Sequence, residues 1–96
     1  MTLDEFRATL TAASPPSDLS PALRVMWEEG RGNWDTAHDL AQGIGDSTGA
    51  WIHAYLHRKE GDAANAAYWY RRAGQPNARG ALEEEWDQIV AALLGD

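Results

Sequence analysis

Two histidines near the middle of the chain lie at a spacing that suits metal binding. His53 and His57 are four positions apart, and Glu60 follows three positions later. In a helix these side chains fall on one side, so their nitrogen and oxygen atoms could approach the same ion. Imidazole nitrogens and carboxylate oxygens are both ligands of zinc. The pattern indicates a site for a divalent metal such as zinc, and His38 could supply a further ligand.

The same pattern also fits a polar helix face that binds no metal. A pair of histidines does not complete the three or four protein ligands of a zinc site. The zinc-protease motif is absent, because Ala54 stands where its glutamate would be. This face could therefore be solvated or hydrogen-bonded. The four serines have no Gly-x-Ser-x-Gly setting, so we predict no catalytic residue and no organic cofactor.

A second group of polar and aromatic side chains follows on the next predicted helix. Asn65, Tyr68 and Arg72 form a ridge of helical spacing, with Trp69 on its edge. Arginine supplies a fork of donors, asparagine an amide, and tyrosine a hydroxyl and a ring. This face could bind a carboxylate or the backbone of a peptide. The alternative is a structural network in which Arg71 or Arg72 pairs with acids of the last helix.

A glycine-containing loop, residues 45–49, precedes the predicted helix of His53. Such a loop could hold an anion at a helix N-terminus. Asp46 argues against a phosphate there, and no lysine follows as it does in a nucleotide-binding loop. We therefore interpret the loop as a helix cap, with Ser47 or Thr48 as the capping residue.

The elements that must position these side chains are all helical. Apolar residues recur at helical spacing in each segment, and nowhere do β-branched residues alternate over four or more positions. We predict an all-α fold of about six short helices in a single domain, 1–96. The predicted segments are an N-terminal helix over 1–13, a helical hairpin over 20–42, a second hairpin over 48–74 and a C-terminal helix over 79–94.

The turn of the second hairpin has a specific signal. Gly61 suits the left-handed residue that ends a helix, and Asp62 suits the N-cap of the next one. Sliding the chain by 29 residues places Gly32 on Gly61 and Asn33 on Asp62. The offset predicts a second copy of the same turn, in which Asn33 caps the third helix.

This pattern resembles the tetratricopeptide repeat, in which Gly-x-aromatic-x-x-Ala spans the turn between two antiparallel helices. The matching residues, within 21–76, are Gly32, Trp34, Ala37, Gly61, Ala66, Tyr70 and Ala73. Ala63 replaces the expected aromatic, and the offset is 29 residues rather than about 34. The resemblance implies an array of hairpins that binds ligands through its concave side. Residues 53–62 and 68–74 are also similar to a group of small helical proteins, which implies a fold and no chemistry.

Composition limits the class of partner. The net charge is −7, from 15 acids and 8 bases, so the chain repels phosphate backbones and we expect no nucleic-acid partner. The chain contains no cysteine, which excludes thiolate sites and favours a cytoplasmic location. No run approaches the roughly 18 apolar residues of a membrane span, and the acidic N-terminus is unlike a signal peptide. We therefore expect neither a membrane partner nor a signal peptide.

Two functions remain from different classes. The first is a non-enzymatic module that binds a protein, a peptide or a second copy of itself, which the repeat resemblance favours. The second is a small metal-binding protein or metal-dependent enzyme that uses the face of His53, His57 and Glu60. The sequence places this face opposite the apolar stripe of its helix, facing either water or a groove. We expect His38, Asn65, Tyr68 and Arg72 at its edges.

Overall fold

The computed structural model describes residues 1–95, and six α-helices account for most of them. They are α1 (Leu3–Ala8), α2 (Pro21–Gly30), α3 (Trp34–Ala41), α4 (Ser47–Lys59), α5 (Ala63–Ala73) and α6 (Leu82–Leu94), with a 3-10 turn (Thr9–Thr11) after α1. No strand occurs within this range, which confirms the predicted all-α class. None of the helices described is both long and apolar enough to cross a membrane.

The first two helices begin at polar side chains that accept hydrogen bonds from the free backbone amides of the first turn. Thr2 and Glu5 form a reciprocal capping box, with the Glu5 amide donating to Thr2 Oγ1 at 3.1 Å and the Thr2 amide donating to Glu5 Oε1 at 2.8 Å. Ser20 accepts from the Leu23 amide at 3.2 Å, and Pro21 occupies the first position of α2. These local signals fix where α1 and α2 start.

Two of the predicted caps are wrong. Asp46, rather than Ser47 or Thr48, caps α4 by accepting a hydrogen bond from an amide of the first turn at 2.9 Å. A carboxylate accepts more strongly than a hydroxyl and also stabilises the positive end of the helix dipole. Asn33 occupies the N-cap position of α3, but its side chain does not cap that helix. The side-chain amide of Asn33 donates instead to the carboxylate of the buried Glu28 at 3.0 Å.

The turns α2–α3 and α4–α5 have the same backbone geometry. Gly32 and Gly61 have φ of +87° and +89°, as the sequence predicts for Gly61. The residues that follow them, Asn33 and Asp62, have φ, ψ of −95°, 65° and −96°, 78°. The Asp62 carboxylate caps α5 by accepting from an amide of the first turn at 3.2 Å. Residues 29 positions apart in sequence therefore have the same backbone conformation at these two turns, whereas the repeat and its tetratricopeptide assignment stay predictions.

The main apolar core joins α1, α2, α3, α4 and α6. Phe6, Ile52 and Ile89 are fully buried within it. Trp86 of α6 packs on Phe6, and its indole donates to the Met26 carbonyl of α2 at 3.2 Å. This bond ties the last helix to the second, because a buried indole nitrogen needs an acceptor.

Two buried acids tie helices together through a tyrosine and a cation. Glu85 of α6 accepts from the Tyr70 hydroxyl at 2.6 Å and from Arg58 at 3.0 Å. Burial raises the pKa of the Tyr70 hydroxyl, and the Glu85 carboxylate raises it further. The predicted link from α5 to α6 exists, but Tyr70 makes it rather than Arg71 or Arg72.

The second acid, Glu29, is placed in the same way. The Tyr55 hydroxyl donates to Glu29 at 3.3 Å, and the Lys59 ammonium pairs with the same carboxylate. Both partners come from α4, so this contact fixes α4 against α2. Burial is the main cause that raises the pKa of Tyr55, followed by the charge of Glu29.

Helix α4 is the centre of the arrangement, since it contacts α2, α3, α5 and α6. Ile52 and Leu56 face the main core, and Ala54 packs on Ala66 and Tyr70 of α5. The small side chains of Ala54 and Ala66 let α4 and α5 approach closely. Helices on several sides of α4 leave little of its surface exposed, and this determines the environment of the histidines.

Candidate metal centre

The three histidines of the chain meet between α3 and α4. His38 from α3 and His53 and His57 from α4 each offer one ring nitrogen, and these atoms all lie within 4.8 Å of one another. The ring centroid of His38 is 5.4 Å from that of His53 and 5.4 Å from that of His57. The two rings of α4 have centroids 6.2 Å apart. We call these three residues the histidine cluster.

The position of His38 depends on a neighbouring tryptophan. The Trp34 indole donates to the Leu56 carbonyl at 3.0 Å, which joins the start of α3 to the end of α4. The same indole stacks on the His38 ring, with centroids 5.0 Å apart and planes at 8°. Trp34 and His38 are one helical turn apart, so their spacing in the sequence already allows the two rings to meet.

His53 is the buried member of the cluster, with 6% of its surface exposed. Its ring stacks on Trp69 of α5 at a centroid distance of 4.4 Å and an angle of 16°. Of the two surroundings that the sequence left open for this face, water and a groove, His53 does not face water, because α5 covers this side of α4. The Nδ1 atom of His53 is buried and has no hydrogen-bond partner.

Burial also sets the protonation state of His53. Loss of solvent lowers the pKa of its imidazole below the ordinary value of 6.5, and the neighbouring His38 lowers it further. The Ala41 backbone opposes these effects to a smaller extent. A lowered pKa favours the neutral ring at pH 7, and the neutral ring is the form that coordinates metals.

Glu60 contacts His57 and does not join the histidine cluster. The distance from His57 Nδ1 to Glu60 Oε1 is 2.6 Å. When Nδ1 carries the proton and donates to this carboxylate, Nε2 of His57 is left free to coordinate an ion. Glu60 can therefore orient His57 as a ligand, and it also stays a candidate ligand itself, as the sequence predicts.

A second group of potential ligands shares His57 with the cluster. It contains His57, Glu60 and Asp62, whose candidate atoms also lie within 4.8 Å of one another. Both acids are exposed, and the Asp62 carboxylate already accepts from the amide and side chain of Asn65. The histidine cluster is the better candidate, because it is less exposed and its buried member has an unpartnered nitrogen.

The predicted partner face on α5 divides into two parts. Asn65 donates its side-chain amide to Asp62 at 3.3 Å and belongs to the cap of α5. Tyr68 is 43% exposed and accepts from Arg72 at 3.1 Å. The Arg72 guanidinium also lies over the Trp69 ring at 5.4 Å. Trp69 therefore connects the exposed Tyr68 and Arg72 to His53.

A pocket of about 230 Å³ adjoins the cluster at His53. Its walls are the N-terminal turn of α4, the loop before it, and Trp69 and Arg72 of α5. Sequence reasoning missed this pocket, because a pocket between three segments has no local signal. The loop 45–49 was the nearest indication, and three of its residues, Gly45, Asp46 and Ser47, line the pocket.

No protein-family model, curated protein or solved structure matches this chain. The chemistry of the cluster has to be derived from its own donors. Three imidazole nitrogens suit zinc, copper, nickel and cobalt, whereas magnesium and calcium prefer oxygen ligands. Three protein ligands also leave room for water or a further ligand on a tetrahedral ion.

Proposed function

We propose that the protein binds one divalent transition-metal ion, of the zinc class, through His38, His53 and His57. The observation that carries the proposal is that a ring nitrogen from each of the three lies within 4.8 Å of the other two. The donors come from two helices that other contacts already hold together. A site built in this way needs little reorganisation of the backbone to bind an ion.

The three ring nitrogens have to move slightly closer together when an ion binds. Zn–N bonds of about 2.0–2.1 Å at a tetrahedral angle separate ligand nitrogens by roughly 3.3 Å. Because the ring nitrogens lie within 4.8 Å of one another, each pair has to close by at most about 1.5 Å. His38 and His57 are only partly buried, so rotation of their rings can supply this movement while Trp69 holds His53 in place.

The environment of His53 supports the same proposal. A buried polar atom without a partner destabilises the fold, because it has lost its hydrogen bonds to water. An ion bound at Nδ1 of His53 would provide the partner that this atom lacks. Because the ring of His53 is neutral, metal binding at this residue does not have to displace a proton.

The proposal is tested by titrating tag-free protein with Zn²⁺ in a calorimeter and comparing three forms of the chain. Wild type should bind one ion per chain, and His38→Ala should bind at least tenfold more weakly, because one of three ligands is lost. Asp39→Ala is the matched control, since Asp39 is the exposed neighbour of His38 and lies outside the cluster. Equal affinities in wild type and His38→Ala would overturn the proposal.

Binding of a protein or peptide is the second candidate function. One observation favours it, namely that Tyr68 is exposed beside Arg72 and Trp69 on α5. Tyrosine, tryptophan and arginine are the residues that most often dominate binding energy at interfaces. For a second copy of this chain as partner, sedimentation equilibrium should give a dimer that Tyr68→Ser weakens. A monomer at all concentrations would rule out self-association through this face.

A further inference from the structure

Arg72 lies at the pocket beside His53. Its guanidinium contacts the Tyr68 hydroxyl and the faces of two aromatic rings. Within residues 1–95 it forms no ion pair with a carboxylate. By contrast, Arg58 and Lys59 are both paired with buried acids. Arg72 therefore offers a positive charge and a fork of donors to a ligand from solution.

His53 is shared by the pocket and the histidine cluster. An ion held by three imidazoles carries a net positive charge and accepts at least one further ligand. A group that enters the pocket can therefore meet the ion at the His53 side and Arg72 at the α5 side. Two positive centres next to one pocket favour an anion there.

We propose that this pocket binds a small monocarboxylate, whose carboxylate coordinates the metal ion and pairs with Arg72. The inference rests on the proposed metal-binding function and names the ligand class of that site. Arginine and a carboxylate form two parallel hydrogen bonds, which sets the orientation of the ligand. A pocket of about 230 Å³ holds a short aliphatic chain behind the carboxylate.

The other residues that line the pocket favour a ligand with a single negative charge and an apolar remainder. Asp46 lies at the pocket with a carboxylate that caps α4, so its negative charge disfavours phosphate and other polyanions. The Asp46 carboxylate already accepts a hydrogen bond from the Gly49 amide. This amide is therefore not free to bind the anion, which depends on Arg72 instead. Trp69, Ile44 and Ala50 supply apolar wall for the remainder of the ligand.

The test uses the Co²⁺-loaded protein and follows its visible absorption, which responds to the ligands of the ion. Adding Co²⁺ alone should first produce the absorption of the metal complex, which tests the proposed function separately. Propionate should then change this spectrum saturably. Arg72→Gln should weaken propionate binding about tenfold or more, because it removes a charged hydrogen-bonding partner. Arg71→Gln is the matched control, since Arg71 is the adjacent arginine and does not line the pocket.

Each outcome either supports or overturns the inference. A saturable response that is weakened in Arg72→Gln and unchanged in Arg71→Gln supports it. A Co²⁺ spectrum that does not respond to propionate overturns the inference and leaves metal binding standing. Equal responses to propionate and uncharged propionamide, or stronger binding of inorganic phosphate, overturn the ligand class. Absence of any Co²⁺ complex overturns the proposed function and this inference with it.

Discussion

At the scale of single residues, His53 differs most from what its position in the sequence indicates. The helical wheel puts it opposite Trp51 and Tyr55, and a residue opposite the apolar stripe is usually exposed. It is 6% exposed, because Trp69 stacks on its ring. The wheel describes one helix, whereas burial depends on how many helices surround it. His53 could be predicted as a ligand candidate, but its burial and its unpartnered nitrogen could not.

The lowered pKa of His53 predicts how the metal-free protein responds to acid. Its pKa in the folded state lies below the 6.5 of an ordinary histidine, so the unfolded chain binds the proton more readily. The stability that the neutral ring contributes is therefore present above pH 6.5 and is lost as pH falls through the lowered pKa. Urea unfolding of metal-free protein between pH 7.5 and 5 should show this loss.

The matched variant for this titration is His53→Gln, which keeps a polar side chain but does not ionise. The free energy of unfolding of wild type, relative to that of His53→Gln, should fall with decreasing pH. Parallel pH profiles for the two proteins would mean that the environment of His53 does not disfavour its protonation.

Glu60 gives a second prediction at this scale. If its carboxylate orients His57, then Glu60→Gln should weaken Zn²⁺ binding by about tenfold or more, the effect usual for a residue that orients a ligand. Competition with a coloured chelator measures the change. Glu83→Gln, at an exposed position of α6 outside both groups of candidate ligands, should leave the affinity unchanged. Loss of binding in both variants would point to net charge rather than to the contact with His57.

At the scale of elements, the glycine turns were predictable, whereas two of the helix caps were not. Gly61 signals a left-handed residue through its own stereochemistry, which no tertiary contact has to supply. The choice among Asp46, Ser47 and Thr48 depends on which acceptor faces the amides, and neighbouring candidates look alike in sequence. Gly49 illustrates the same limit, because a Cβ there would lie 2.1 Å from the Ile44 carbonyl oxygen. That close approach exists only once the loop is folded over α4.

A pair of alanine substitutions tests the turn between α4 and α5. Gly61→Ala should lower the free energy of unfolding by about 1–2 kcal/mol, the cost of a left-handed L-residue. No atom lies within 4 Å of a Cβ built at Gly61, so the effect comes from the backbone alone. Gly45→Ala is the control, because Gly45 also has open space and has no positive φ. Equal urea midpoints for the two variants would contradict the conformational explanation.

At the scale of the whole molecule, buried acids join helices that the sequence could only place separately. Periodicity predicted all six helices, since each carries its own apolar stripe. It could not show that Tyr70 of α5 reaches Glu85 of α6, because fifteen residues and a loop separate them. The same holds for the meeting of His38 with His53 and His57, which the sequence indicated only as an approach from an adjacent hairpin.

Removing one hydroxyl tests this connection. Tyr70→Phe should destabilise the protein by about 1–3 kcal/mol, because it takes a hydrogen bond from the buried carboxylate of Glu85. Tyr68→Phe is the matched control on the same helix, since its hydroxyl accepts a hydrogen bond from the exposed Arg72 and donates none to a buried acid of residues 1–95. Thermal unfolding of the two variants should differ clearly. Similar losses in both would mean that Glu85 does not depend on Tyr70.

The proposed function requires that His38, His53 and His57 bind one metal ion together. The most direct measurement is a crystal structure of zinc-loaded protein with anomalous diffraction data collected at the zinc absorption edge. We expect one strong anomalous peak per chain, about 2.0–2.1 Å from a ring nitrogen of each of the three histidines. A peak at His57, Glu60 and Asp62 instead, or no peak at the histidine cluster, would contradict the claim.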